Sequence, residues 1–128
     1  MKAAMPYLVF TGNCREALEF YADCLDGEIV SIQTVGESPL QVEGEHQNRI
    51  FDSEFRAENL RFKASDDMPG HEVSAGTNFS IFLLFDDADK QKQIFDSLSQ
   101  GGQIQFPLEN NFGMVTDKYK VQWMLAKH

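Results

Sequence analysis

The 128 residues are 42% hydrophobic and include eleven phenylalanines, enough for one packed domain and too much for a disordered chain. Twenty acidic against eleven basic residues leave a net charge of −9, and the basic ones are scattered. That pattern excludes a surface built for nucleic acid or an anionic membrane, and no apolar run approaches the roughly 18 residues of a membrane span.

The N-terminal MKAAMPYLVF lacks the long apolar stretch and cleavage site of a signal peptide. Residues 6–11 read as a short apolar strand. Asn13, with Glu16 three residues on, predicts a capping box at the start of a helix. Ala17, Leu18, Tyr21 and Leu25 form its apolar stripe, and Gly27 is expected to end it in the left-handed conformation. Cys14 and Cys24 share this helix; ten residues at about 1.5 Å each hold them roughly 15 Å apart, too far for a disulfide. Two unpaired thiols and no secretory signal lead to the expectation of a reducing cytoplasm.

Residues 28–35 resume as a strand, and the polar, Gly- and Pro-containing 36–49 (GESPLQVEGEHQNR) is a loop. Residues 50–57 alternate, with Ile50, Asp52, Glu54 and Arg56 on one side and Phe51, Ser53 and Phe55 on the other. Glu58 and Asn59 turn the chain into a hairpin partner at 60–65. Residues 66–77 link to a very apolar strand at 79–85, whose composition predicts burial on both faces. A second helix over about 88–100 opens at Asp87 and Asp89 and stops at Gly101 and Gly102. Strands near 103–106, 112–116 and 121–126 complete the chain.

The order is therefore βαβββ twice, and the sequence carries a trace of the duplication. At an offset of 75, Leu8 falls on Leu83, Phe10 on Phe85, Phe20 on Phe95, Gly27 on Gly102 and Ile29 on Ile104. At an offset of 61, Phe51 falls on Phe112, Leu60 on Val121 and Phe62 on Trp123. The offsets differ by the extra length of the loop around 36–49. Two copies of one unit predict an α+β fold in which βαβββ modules, about 1–66 and 77–128, are related by a pseudo-two-fold within a single domain. Helices lie outside a cupped mixed sheet, and a cleft between the halves is the expected place for a ligand.

With PYLVFTGNCREALEFY at the front and FGMVTDKYKVQWML at the back, the whole chain resembles the vicinal oxygen chelate family of glyoxalases, bleomycin-resistance proteins and extradiol dioxygenases. Within it, the chain is most similar to the PhnB-like branch, often labelled demethylubiquinone methyltransferase-like. That branch carries a proline-led first strand, a GN-led helix and a TDKxGVQWM ending, in which Lys120 here replaces the glycine. The resemblance implies a homodimer and, in metal-dependent members, one divalent ion held by four strand positions. Those positions correspond here to Pro6, to Asp52 or Glu54, to Ser80 (Ile81 if the internal repeat is aligned without a gap) and to Gln122. A metal site wants about three His, Cys or carboxylate donors. This set offers one, and His46, His71 and His128 lie in loops or at the C-terminus. A divalent metal is therefore not expected.

Asp52 and Glu54, two apart on one strand, project from one face; a carboxylate in a cleft can act as a general base. The alternative is a solvated strand face. Gln122 and Met124 share a face of the last strand, where Gln122 can orient a carbonyl or be satisfied by a neighbour. Ser80, Phe82, Leu84 and Met124 are candidates for a pocket wall, and Tyr7 for its mouth. A glycine-rich nucleotide turn and a GxSxG elbow are both missing, which argues against nucleotide-dependent methyl transfer and serine hydrolysis. The expectation is a small-molecule-binding protein without the usual metal tetrad. The alternative is a lyase, isomerase or dioxygenase-like enzyme using Asp52 or Glu54 as base or ligand.

Overall fold

The computed structural model describes all 128 residues, which divide into two compact units, 1–73 and 74–128. Each is βαβββ. The first comprises β1 (Tyr7–Phe10), α1 (Cys14–Leu25), β2 (Glu28–Thr34), β3 (Ile50–Ala57) and β4 (Leu60–Asp66). Single 3-10 turns at Val35–Glu37 and Gly44–His46 break the long loop before β3. The second comprises β5 (Ile81–Phe85), α2 (Ala88–Ser99), β6 (Gln103–Glu109), β7 (Phe112–Thr116) and β8 (Gln122–Lys127). The sheets have the same order, β1-β4-β3-β2 and β5-β8-β7-β6, with the first and last strands of each unit parallel. Pairing at Tyr7–Lys63 and at Phe82–Met124 reproduces the offsets of 75 and 61. One echo slips. Phe62 faces Phe55, whereas its counterpart Trp123 faces Val115, so β3 and β7 correspond one residue away from the Phe51–Phe112 match.

The helix covers one face of each sheet. Under α1, Tyr21 meets Phe10, Phe55 and Phe62 at ring distances of 5.9–6.5 Å, and Phe55 stacks on Phe62 at 4.8 Å. Under α2, Ile94, Phe95 and Leu98 are buried with Val115, Trp123 and Leu125. The expectation that the apolar 79–85 segment is buried on both faces does not hold within the chain. Ile81 is buried, but Phe82 and Leu84 on the opposite face are more than half exposed.

The helix ends differ from the sequence reading in two places. Asn13 makes no side-chain cap, and its Oδ1 is buried without a partner. The cap comes instead from β4: Asp66 Oδ1 accepts from the amides of Gly12 and Cys14 at 3.0 and 2.9 Å. A charged acceptor fixed on the sheet displaces the local amide, because an anion aligned with the helix dipole binds more strongly than a neutral group. At the other end, Asp26, not Gly27, takes the left-handed conformation, and Gly101 does the same in the second unit. Gly27 and Gly102 are needed for a different reason. A Cβ on Gly27 would lie 2.6 Å from the Phe55 ring, and one on Gly102 would lie 2.3 Å from the Thr116 carbonyl. Asp87, by contrast, caps α2 as read, accepting from the amides of Asp89 and Lys90.

Lys120 sits in the turn before β8 with φ of 74°, where a side chain is strained. Lys120→Gly is expected to stabilise the protein by about 1 kcal/mol, a rise of about 3–5 °C in Tm by calorimetry.

Candidate functional site

The open face of the first sheet is a polar ladder. Directly opposed residues run Tyr7, Lys63, Glu54 and Ser31 across all four strands, with Arg61, Arg56 and Glu28 in the next row. The alternation of β3 places Asp52 on this face, opposite Gln33 of β2. Two donors from different strands meet on Asp52. The Tyr7 hydroxyl donates to Oδ1 at 3.0 Å, and Lys63 Nζ donates to Oδ2 at 2.7 Å. The Asp52 and Lys63 side chains are each about a third exposed (35% and 33%), so this pair is reachable from solvent. Burial raises the Tyr7 phenol above its ordinary pKa, opposed by a hydrogen bond with Ser65 and reinforced by Asp52. The hydrogen bond to Asp52 raises the Lys63 ammonium likewise. Both groups are therefore protonated donors at neutral pH.

Glu54 is paired differently, with Arg61 at 3.0 Å and Arg56 at 3.9 Å. The two acids do share a face, as the sequence indicates, but each is tied to cations. The sequence reading passed over Lys63 and Arg61. The signal was available: the two-residue turn at Glu58–Asn59 pairs Ala57 with Leu60, which sets Arg56 opposite Arg61 and Glu54 opposite Lys63.

The corresponding face of the second sheet is apolar. Phe82, Met124, Met114 and Phe106 form a continuous row across β5, β8, β7 and β6, with Phe82 and Phe106 more than half exposed. Gln122 is buried at the start of β8. Its Nε2 donates to the carbonyl of Phe79 at 2.8 Å and to that of Gly76 at 3.3 Å, fastening the segment before β5. Ser80 lies just before that strand and is half-buried. The positions assigned to a metal by resemblance do not fit one. No three His, Cys, Asp or Glu side chains converge anywhere in the chain, and Asp52 and Glu54 are engaged by cations.

Elsewhere in the first unit, Gln41, Val42, Glu43, His46, Met68 and Pro69 line an open groove of about 530 Å³. His46 is held at its side by Arg49, whose Nε donates to Nδ1 at 3.3 Å. Cys14 is fully buried, and burial with the nearby Asp66 charge pushes its thiol up to about 12. It is not a nucleophile at neutral pH.

A family model described as 3-demethylubiquinone-9 3-methyltransferase matches residues 2–126. The chain belongs to this family. Among solved structures of similar proteins, PA1353 from Pseudomonas aeruginosa is 30% identical with a TM-score of 0.89, over 100% of this chain and 98% of that one. The PhnB protein from Bacillus cereus is 25% identical with a TM-score of 0.82, over 99% and 100%. The fosfomycin resistance protein FosX from Listeria monocytogenes, 9% identical with a TM-score of 0.69 over 98% and 90%, is similar in fold. These likenesses place the PhnB-like family within the vicinal oxygen chelate fold, as the paired βαβββ units require. The family description names an activity; fold and family membership do not by themselves assign it to this chain.

Proposed function

We propose that this protein binds a small molecule on its open sheet faces without a metal tetrad, acting as a single domain and a homodimer in the cytoplasm. The observation that carries the reading is the chain of hydrogen bonds Tyr7–Asp52–Lys63, an ordered and half-exposed set of polar groups on a sheet whose other face is core. Binding sites combine a few placed polar groups with apolar wall. On the second unit's own open face, Phe82 and Met124 are proposed as apolar ligand contacts. No helix is long and apolar enough to cross a membrane, and the family's fold supports the small-molecule reading.

The test is a thermal-shift and native mass spectrometry screen of the purified protein against a library of small polar metabolites. A compound that raises Tm and rides with the protein at one per chain supports the reading. A library with no such compound overturns it. The exposed apolar side chains of the edge strand β6, Ile104 and Phe106, support the homodimer, as exposed apolar patches mark association. Sedimentation is expected to give twice the chain mass, and Phe106→Asp, at a side chain 58% exposed, is expected to shift the protein towards monomer without lowering helix content.

A further inference from the structure

The acids on the first sheet attract notice as candidate bases, but the geometry around them serves the cation instead. Lys63 extends from the inner strand β4, flanked by Tyr7 on β1 and Glu54 on β3. An ammonium has three N–H donors, and Asp52 takes one at 2.7 Å. Asp52 is itself held by Tyr7, so the amino group is fixed by a contact between three strands rather than left as a mobile surface lysine. The remaining donors are open, since a third of the side chain is exposed. The arginines of this face are committed differently, as both Arg56 and Arg61 reach Glu54.

We propose that Lys63 is the ligand-contacting group of the first unit and that it takes an oxyanion, a carboxylate or a phosphate-type group, of a small molecule. Asp52 is then a positioning residue, orienting Lys63 and Tyr7. The inference rests on the small-molecule reading above and adds the chemistry of the group recognised. A preorganised ammonium binds an anion with less loss of side-chain freedom, and a charge-assisted hydrogen bond contributes the more for being partly shielded from water.

The test uses two-dimensional amide NMR of the full chain titrated with inorganic phosphate and, separately, with acetate. Saturable shifts at Tyr7, Asp52 and Lys63 are expected in the wild type. Lys63→Met is expected to weaken binding at least about tenfold, the usual cost of losing a hydrogen bond to a charged group, while Lys63→Arg keeps part of it. Circular dichroism melts of both variants establish that they fold. Equal affinity in folded Lys63→Met, shifts confined to other segments, or no saturation with either anion in the wild type would each overturn the inference. A neutral compound from the library screen that binds wild type and Lys63→Met alike would overturn it too, while leaving the small-molecule reading standing. If Lys63→Met does not fold, Lys63→Gln replaces it in the same titration.

Discussion

Replacing Asp66 with Ala is expected to cost about 3–5 kcal/mol of stability, measured by urea denaturation of wild type and variant. The carboxylate is 8% exposed and accepts three backbone hydrogen bonds, from Gly12 and Cys14 through Oδ1 and from Ile50 through Oδ2 at 2.8 Å. The three amides come from three parts of the first unit: the turn after β1, the start of α1 and the start of β3. Deleting the acceptor strands the Cys14 and Ile50 donors away from water, the Gly12 amide being only part-buried, and each unmet buried donor costs about 1–3 kcal/mol before relaxation. Some relief is available, because the buried Oδ1 of Asn13 lies unused at the same helix start. Asp66→Asn tests the account. It keeps an oxygen on one side and puts an NH2 on the other, so a loss of about 2 kcal/mol, intermediate between wild type and Ala, is expected. Asn behaving like wild type would show that the Ile50 bond contributes nothing.

That capping arrangement marks where a sequence reading stops. Helix signals are local, and Asn13 followed three residues later by Glu16 is a good local signal. The acceptor that prevails is 52 positions away and reaches the helix only because β4 runs parallel beside β1. The duplication, by contrast, was legible: it is written in apolar spacing, and apolar spacing sets strand pairing. Offsets of 75 and 61 read from the repeat carry the β1–β4 pair onto the β5–β8 pair, Tyr7–Lys63 onto Phe82–Met124. The match failed at Phe51–Phe112, because three residues separate Asp117 from the opposed Val121 where two separate Ala57 from Leu60, which shifts the register by one. Gly27 and Gly102 were legible as a pair but not in their reason. Both stand where a strand backbone or ring comes within 3 Å of a Cβ, one position after the left-handed residue.

The candidate site was half legible for a related reason. Alternation in 50–57 put Asp52 and Glu54 on one face, and this is where they lie. What alternation in one strand leaves out is the neighbour's charge. Lys63 and Arg61, which the sequence reading passed over, emerge only when the hairpin is read as a pair, and with them the face changes from two acids to a set of ion pairs. The two units share topology yet present opposite chemistry on their open faces, Tyr-Lys-Glu-Ser in one and Phe-Met-Met-Phe in the other. A fold so duplicated fixes the core positions twice over and leaves the open faces free to diverge, because only the helix-covered side is constrained by packing.

Asp117→Ala is expected to be comparably damaging in the second unit, at about 3–4 kcal/mol, again by urea denaturation. Asp117 is 1% exposed and organises the turn between β7 and β8. Its Oδ1 accepts from the amides of Tyr119 and Val121 at 2.8 and 3.1 Å, and its Oδ2 from the indole Nε1 of Trp123 at 2.8 Å. The indole is wholly buried, so without the carboxylate its N–H faces no water. Trp123→Phe separates the two contributions. It removes the indole donor but leaves the turn amides bonded, so a smaller loss of about 2 kcal/mol is expected, made up of one charge-assisted hydrogen bond and the void left by the smaller ring. In the double variant Asp117→Ala/Trp123→Phe, the indole donor is gone along with its acceptor. The combined loss is therefore expected to fall short of the sum of the single losses by about 1 kcal/mol or more. Simple additivity would mean that Trp123 is held by packing alone and that Asp117 serves only the turn.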